Sequence, residues 1–406
     1  MADMATVCLV GTLDTKHAEY DWLRTRLEID GVHTLLVDAG SSPSDGADVP
    51  AEEVARAAGV DLASLEGDRG HAVETMARGA AVTVRRLFDE GRVDAVLAVG
   101  GSGGSSIAAA VMRELPVGLP KLLVSSMASG DVRPYVGETD VTLMYSVVDI
   151  AGLNSVSKTV LGNAAAAIAA MARHHDTGRE TTDRPVVAVT MFGVTTPAAD
   201  EARAELERLG YEVLVFHATG SGGRAMEKLV TDGLLAGVLD LTTTELADEL
   251  VGGVLSAGPH RLEAAGRAGL PQVVSVGALD MVNFGPADTV PERFAGRNLL
   301  VHNPTVTLMR TTAEESAELG TLLGRKLRAA QGPVSVFLPL GGVSAVDVPD
   351  GPFHDPAADA ELFAHLTEAL SGSAAIVTRR EEAINDAGFG AAAARELHRL
   401  IGEGRS

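Results

Sequence analysis

Short Val/Leu-rich runs alternate with helix-length segments along this chain, and the alternation is carried through twice. Strands separated by helices cannot pair as tight hairpins. They pair in parallel and are covered by their crossover helices. In the first half, apolar runs at residues 6–10, 33–37, 93–99 and 121–125 predict strands. Segments 18–29, 51–57, 71–90 and 107–115 predict helices, and an Ala-rich helix over 155–173 closes the half. The polar stretch 174–184 predicts a linker. The second half then restarts with a strand at 186–190, a helix at 198–209 and a strand at 212–216.

The two halves also match in detail. Gly31 ends the first helix as Gly210 ends its counterpart, and Asp38 follows Gly31 by as many residues as His217 follows Gly210. GHAVE at 70–74 is similar to GRAME at 223–227, and GLPKLLVS at 118–125 to GLPQVVS at 269–275. The expected fold class is therefore α/β. Two Rossmann-like three-layer domains, 1–178 and 185–406, carry mostly parallel sheets, are related by internal duplication and face each other across a cleft. Ligands of open α/β sheets sit at the carboxyl ends of the strands, so that cleft is the expected site.

Aromatic residues make up only 3% of the chain, so Val, Leu and Ala must fill its cores, as suits buried parallel strands. A formal net charge of −22 excludes nucleic acid and acidic membrane surfaces as natural partners, because both repel such a protein. The single cysteine, Cys8, allows no intrachain disulfide and no cysteine-based zinc site. No apolar run reaches membrane-spanning length and the start lacks a signal pattern, so the cytoplasm is the expected compartment.

Chemistry concentrates in the loops after the strands. AVGGSGGSS at 98–106 places Gly100, Gly101, Ser102, Gly103, Gly104 and Ser105 between a strand and a helix. Backbone N–H groups in such a turn approach an anion closely, and the helix N-terminus adds partial positive charge. The loop is neither standard fingerprint: no lysine completes a Walker loop, and Ser106 stands where a dinucleotide motif needs its last glycine. It predicts phosphate or carboxylate binding without naming the ligand; a tight strand–helix connection built of small residues is the structural alternative. After the first strand, Thr12 and Asp14 offer a ribose or metal contact or a helix cap. Lys16 there either reaches a phosphate or is solvated. Asp38, ending the second strand, is similar to the acidic residue that binds ribose hydroxyls. Ser126, Ser129 and Gly130 extend the anion cradle after the fourth strand. In 144–154, Asp149 and Asn154 are either interface residues or ligand contacts.

The equivalent positions of the second half differ. Residues 240–245, DLTTTE, contain no glycine, and Thr242-x-x-Glu245 fits a capping box, as does Thr312-x-x-Glu315. His217 precedes a second glycine-rich turn, and His302 and Asp280 lie near other strand ends. Convergence of His217, Glu245, Asp280 and His302 would supply general acid–base catalysis or a metal site.

GTLDTK, GGSGGSS, SSMASGDV, SVVDIAGLN, MFGVTTP, VFHATGSGGRAME, LDLTTTE, SAGP, DMVNFG, HNPTVTLMRTT and GPFHDP run in order from residue 11 to residue 356. Together they resemble the uncharacterised protein family typified by the ATP-binding domain of a plant tobamovirus-resistance protein. The resemblance implies two Rossmann-like domains, ATP at the first, and a homodimer. In the plant protein a barrel-like enzyme module follows; with this chain ending at Ser406, the resemblance implies that module as a separately encoded partner. The leading expectation is an ATP- and Mg²⁺-dependent enzyme acting on a small molecule in the cleft, a transferase, ligase or hydrolase. One rival is a nucleotide-sensing interaction protein without turnover. The other is a hydrolase or lyase whose substrate phosphate or carboxylate sits on the glycine loop.

Overall fold

The computed structural model describes residues 4–177 and 184–404. The chain divides into two compact units, Met1–Thr181 and Thr182–Ser406. Among the described residues, no helix is long and apolar enough to cross a membrane.

The first unit runs β1 (Thr6–Gly11), α1 (Leu13–Ile29), β2 (His33–Asp38), α2 (Ala51–Ala57), α3 (Arg69–Asp89), β3 (Ala95–Gly100) and α4 (Ser102–Glu114). It continues with β4 (Lys121–Ser125), α5 (Arg133–Val136), β5 (Thr142–Tyr145) and α6 (Ser155–Thr177). The sheet is wholly parallel, in the order β2-β1-β3-β4-β5. Alternate side chains of each strand feed opposite faces, as the two-residue strand period requires. Cys8, Val10, Val96 and Ala98 pack under α2, α3 and α4, while Val7, Leu9, Leu97 and Val99 pack under α1 and α6. These layers are the expected three-layer arrangement.

Three boundaries differ from expectation. The short, partly exposed edge strand β5 carries too little apolar pattern to be read from sequence. Helix α4 begins at Ser102, so the last glycines of the loop form its first turn. Helix α6 continues through the start of the expected linker to Thr177, and residues 178–183 of that linker lie outside the described residues.

The second unit begins with β6 (Val186–Met191), α7 (Thr196–Arg208), β7 (Glu212–His217), α8 (Ser221–Thr231), β8 (Gly237–Thr242), α9 (Glu245–Val251), α10 (Ala264–Arg267) and β9 (Gln272–Gly277). An antiparallel sheet of β10 (Met281–Phe284), β11 (Leu299–Asn303) and β12 (Val306–Arg310) is inserted next. The unit closes with α11 (Ala313–Arg328), β13 (Val334–Pro339), α12 (Pro356–Ala369), β14 (Ile376–Arg380) and α13 (Phe389–Glu403). Its parallel sheet is ordered β7-β6-β8-β9-β13-β14, which is the first unit's order with one strand added. Asp38 pairs with Gly11 as His217 pairs with Met191. Gly31 and Gly210 both take positive φ, 77° and 93°, at the ends of α1 and α7. The duplication read from sequence is thus repeated in topology and register.

Connections from β1 and β3 leave in opposite directions, so the sheet has its topological switch between them. There the strands part. Their pairing stops at Val10 and Ala98, while β1–β2 runs on to Gly11 and β3–β4 to Gly100. The buried Tyr20 of α1 occupies the gap: its hydroxyl donates to the Val10 carbonyl at 2.6 Å and accepts the Val99 N–H at 2.9 Å. Gly11 is bare because any Cβ would overlap the Tyr20 ring. Replacing Tyr20 with Phe leaves two buried backbone groups unpaired. We expect a loss of about 1–3 kcal/mol in urea-induced unfolding. Wild-type stability in that variant would show that the hydroxyl does not hold the strands.

Candidate functional site

Above Tyr20, at the carboxyl ends of the strands, lies a pocket of about 700 Å³. Thr12, Asp14, Thr15 and Lys16 line it from the end of β1 into α1, and Ala39 and Ser41 from the end of β2. Gly101, Ser102, Gly103, Gly104 and Ile107 come from the start of α4, and Ser126, Met127 and Asp149 from the loops after β4 and β5. Arg69, Ala72, Val73 and Met76 of α3 complete the wall. The helix starts of α1 and α4 border this cavity, but Asp38 takes the Leu13 N–H of α1, so the donors left open are those at the start of α4. The first N–H groups of a helix have no acceptor inside it. Gly101, the extended N-cap of α4, supplies no side-chain cap. The floor of the pocket is thus rich in donors and suited to an anion.

Side chains around the floor are partly committed. Asp14 does not cap α1; its carboxylate accepts the Ser41 N–H at 2.9 Å and ties the β1 and β2 loops together. Lys16 donates to the Ile150 carbonyl at 2.5 Å. Asp149 accepts the Ile150 N–H at 2.9 Å and stays exposed. Two residues before it, the exposed Val147 has φ of 65°, a strained conformation for a β-branched residue.

Several residues expected at the ligand lie elsewhere. Asp38 is fully buried beneath the pocket, where it accepts the Leu13 N–H at 3.0 Å, the Gly40 N–H at 2.8 Å and the Ser44 hydroxyl. Burial pushes its carboxyl up, against the pull of those hydrogen bonds. It shapes the loops and offers no oxygen to a ribose. Gly100 is buried at the end of β3, and Ser105 is buried against Ser125 with hydroxyls 2.7 Å apart. Ser129 and Gly130 are exposed and do not line the pocket.

In the second unit the four expected catalytic residues do not form one group. Glu245 is fully buried at the start of α9. One of its oxygens accepts the N–H groups of Gly220 at 2.7 Å and Gly223 at 3.0 Å; the other accepts from Arg261 Nε at 2.6 Å. The same guanidinium grips both oxygens of Asp240, at 2.5 and 2.7 Å. Burial alone would lower the Arg261 pKa, but Asp240 and Glu245 hold it well above the ordinary value. Glu245 therefore fills the second glycine turn with the chain's own carboxylate. Asp280 is buried in another cluster, where Ser344 donates to it at 2.8 Å. Arg310 pairs there with Asp359 at 2.7 Å and approaches Asp347 at 3.6 Å. His217 is exposed and stacks on Phe192 with ring centroids 5.4 Å apart, and His302 is exposed on β11. Among the described residues, no group of three or more His, Cys, Asp or Glu could hold a metal ion.

Sequence reasoning does not single out Arg69, Arg261 or Arg310. An arginine at the first position of a helix, where the helix dipole disfavours it, is the one local signal available for Arg69. Arg261 and Arg310 act through partners distant in sequence.

The N-terminal domain of the Uncharacterised protein family (UPF0261) matches residues 5–177, and its C-terminal domain matches residues 184–401. The chain belongs to this family. A UPF0261 protein of Clostridium tetani is 48% identical over 399 residues, covering 97% of this chain and 98% of that protein. UPF0261 protein RA0729 of Rhizobium meliloti is 50% identical over 373 residues, covering 91% and 92%. The ToMV resistance protein Tm-1(GCR237) of Solanum lycopersicum is 45% identical over 309 residues, 75% of this chain and 41% of that protein. The family is the one the eleven ordered motifs point to.

The Asp280 cluster sets one arginine against three buried carboxyls. Burial pushes Asp280 and Asp347 up, and burial with the neighbouring Asp347 pushes Asp359 up to about 7. Unfolded, such carboxyls titrate near 3.9, roughly, so their contribution to stability is full below about pH 4. It is lost as the pH rises through neutrality. We expect the Asp280→Asn variant to lose less stability than wild type between about pH 5 and about pH 8, by about 1–3 kcal/mol. Urea unfolding at both pH values checks this; identical pH slopes would mean that Asp280 is ionised in the fold.

Proposed function

We propose that the first unit of this UPF0261 protein binds a nucleoside triphosphate, ATP as its magnesium complex, with the phosphates on the loop 101–104. One observation carries the reading: the glycines of that loop are not needed by the protein itself. A Cβ at Gly101 would meet Ser126 Oγ at 3.6 Å, one at Gly103 would meet Val73 at 3.7 Å, and one at Gly104 would meet the Val99 carbonyl at 3.5 Å. All three are ordinary contacts, and none of these glycines has positive φ. Gly103 and Gly104 lie within the helix, where each glycine costs about 0.5–1 kcal/mol relative to alanine. Bare backbone kept at such a cost, at the mouth of an open pocket, serves something that must approach it closely.

The second unit supplies the contrast. At Gly222 and Gly223 a Cβ would overlap the His217 carbonyl and the Glu245 carboxylate, and Gly220 has φ of 84°. Those glycines are explained by the unit's own packing, and the N–H groups of Gly220 and Gly223 are already taken by Glu245.

The pocket fits a polyphosphate in other respects. N–H groups of 102–104 and the Ser126 hydroxyl would bind phosphate oxygens, with Thr12 and Ser41 beside the sugar. Asp14 and Asp149 are the carboxylates that would hold magnesium together with the phosphates and water. Magnesium so bound neutralises phosphate charge. Two carboxylates suit an ion that keeps several waters, so a three-ligand protein cage is not required.

Calorimetric titration of ATP with Mg²⁺ tests the reading. We expect Gly103→Ala to weaken ATP by about tenfold or more, because a methyl displaces a phosphate from its donors. The ligand-free melting temperature should be unchanged or higher. Gly103→Asp should abolish binding. Unaltered affinity in Gly103→Asp, or no ATP binding by the wild-type chain, would overturn the assignment.

A further inference from the structure

Among the described residues, two cations line the pocket, Lys16 and Arg69. Lys16 is engaged with the Ile150 carbonyl. Arg69 is exposed, and among the described residues its side chain makes no hydrogen bond or ion pair. Arg69 thus brings a positive charge to the cavity with no acidic partner of its own. Asp14 and Asp149 line the same pocket, yet neither pairs with it.

Local structure gives Arg69 no role either. It is the first residue of α3, where the N-terminal end of the helix dipole repels a cation. The cap of that helix is made by Asp68, whose carboxylate accepts the His71 N–H at 3.0 Å. Arg69 thus opposes its own helix rather than supporting it. Its position along α3 is informative. Val73, one turn further on and on the same helix face, lies 3.7 Å from where a Gly103 Cβ would be. Arg69 therefore extends from the helix flanking the first turn of α4.

We propose that Arg69 is the polyphosphate clamp of this pocket and sets its preference for nucleoside triphosphates over monophosphates. This rests on the reading that phosphates occupy the loop 101–104, and adds the charge that selects among them. The uncapped helix start holds one phosphate by N–H donors; a guanidinium beside it adds a paired, charge-assisted contact for further phosphate oxygens.

The test uses the full chain, with ATP, ADP, AMP and inorganic tripolyphosphate titrated in the presence of Mg²⁺. We expect Arg69→Gln to weaken ATP and tripolyphosphate by about tenfold or more and AMP by about twofold or less. The loss should shrink as salt rises, since the interaction is screened. Arg69→Lys, which keeps the charge without the fork, should fall between wild type and Arg69→Gln. The ligand-free melting temperature of Arg69→Gln should equal or exceed wild type, a result that a structural role would not give. Equal losses for ATP and AMP, or no loss for either, would overturn the clamp while leaving the phosphate site standing. Wild-type protein that binds neither ATP nor tripolyphosphate would overturn the phosphate site, and the clamp with it.

Discussion

The parting of β1 from β3 is the constraint on which the first unit depends. A parallel sheet that reverses its winding must open at the reversal, and the opening leaves backbone groups without ladder partners. Tyr20 resolves both problems with one hydroxyl, which receives the Val99 N–H and donates to the Val10 carbonyl. Because the phenol comes from below, on α1, the space above the strand ends stays clear. The pocket is therefore a consequence of how the gap is satisfied. Gly11 follows from the same requirement, since the ring occupies the place of any side chain there.

The second unit meets the same geometry differently. Its β6–β8 pairing also stops early, at Val189 and Leu239. There the Thr190 hydroxyl accepts the Thr242 N–H at 3.0 Å and donates to Asp240 at 2.8 Å, and Asp240 is held by Arg261. Satisfying the gap with charged side chains brings a further obligation, because a buried carboxylate must be paired. Arg261 pairs Asp240, and Glu245 completes the set while neutralising the donors of the glycine turn. One plan used twice thus leaves one set of donors open and one closed.

Most strands and helices of the first unit were legible because they follow from local periodicity. Gly31 and Gly210, or Asp38 and His217, align because each lies at a fixed distance from its neighbouring elements. Residues whose roles arise from distant partners were not legible. Thr312-x-x-Glu315 and Thr242-x-x-Glu245 have the same spacing, yet the first is a capping box and the second is not. What separates them is Arg261 and the turn 220–223, far along the chain from Glu245 and brought to it only by the fold. Asp38 differs from its expected place for a related reason. Its position at a strand end was right, but three donors around it turn its carboxylate inward. The glycine loop is plain in the sequence, whereas the room its glycines have for a Cβ is a property of packing alone.

A chain of net charge −22 is a surprising host for a polyanion only if net charge decides binding. At physiological ionic strength the field of a surface carboxylate fades over about 8 Å, so most of the acidic surface acts weakly at the pocket. N–H groups at a helix start act at contact, and their partial charge is fixed in place by the fold. Arg69 is also local, and it faces the pocket without an acidic partner. The acidic exterior and the donor-lined pocket then serve different ends. The exterior disfavours long polyanions such as nucleic acid, which must lie across it. On the proposed reading, a compact anion carrying its own magnesium would reach the donors of the pocket directly.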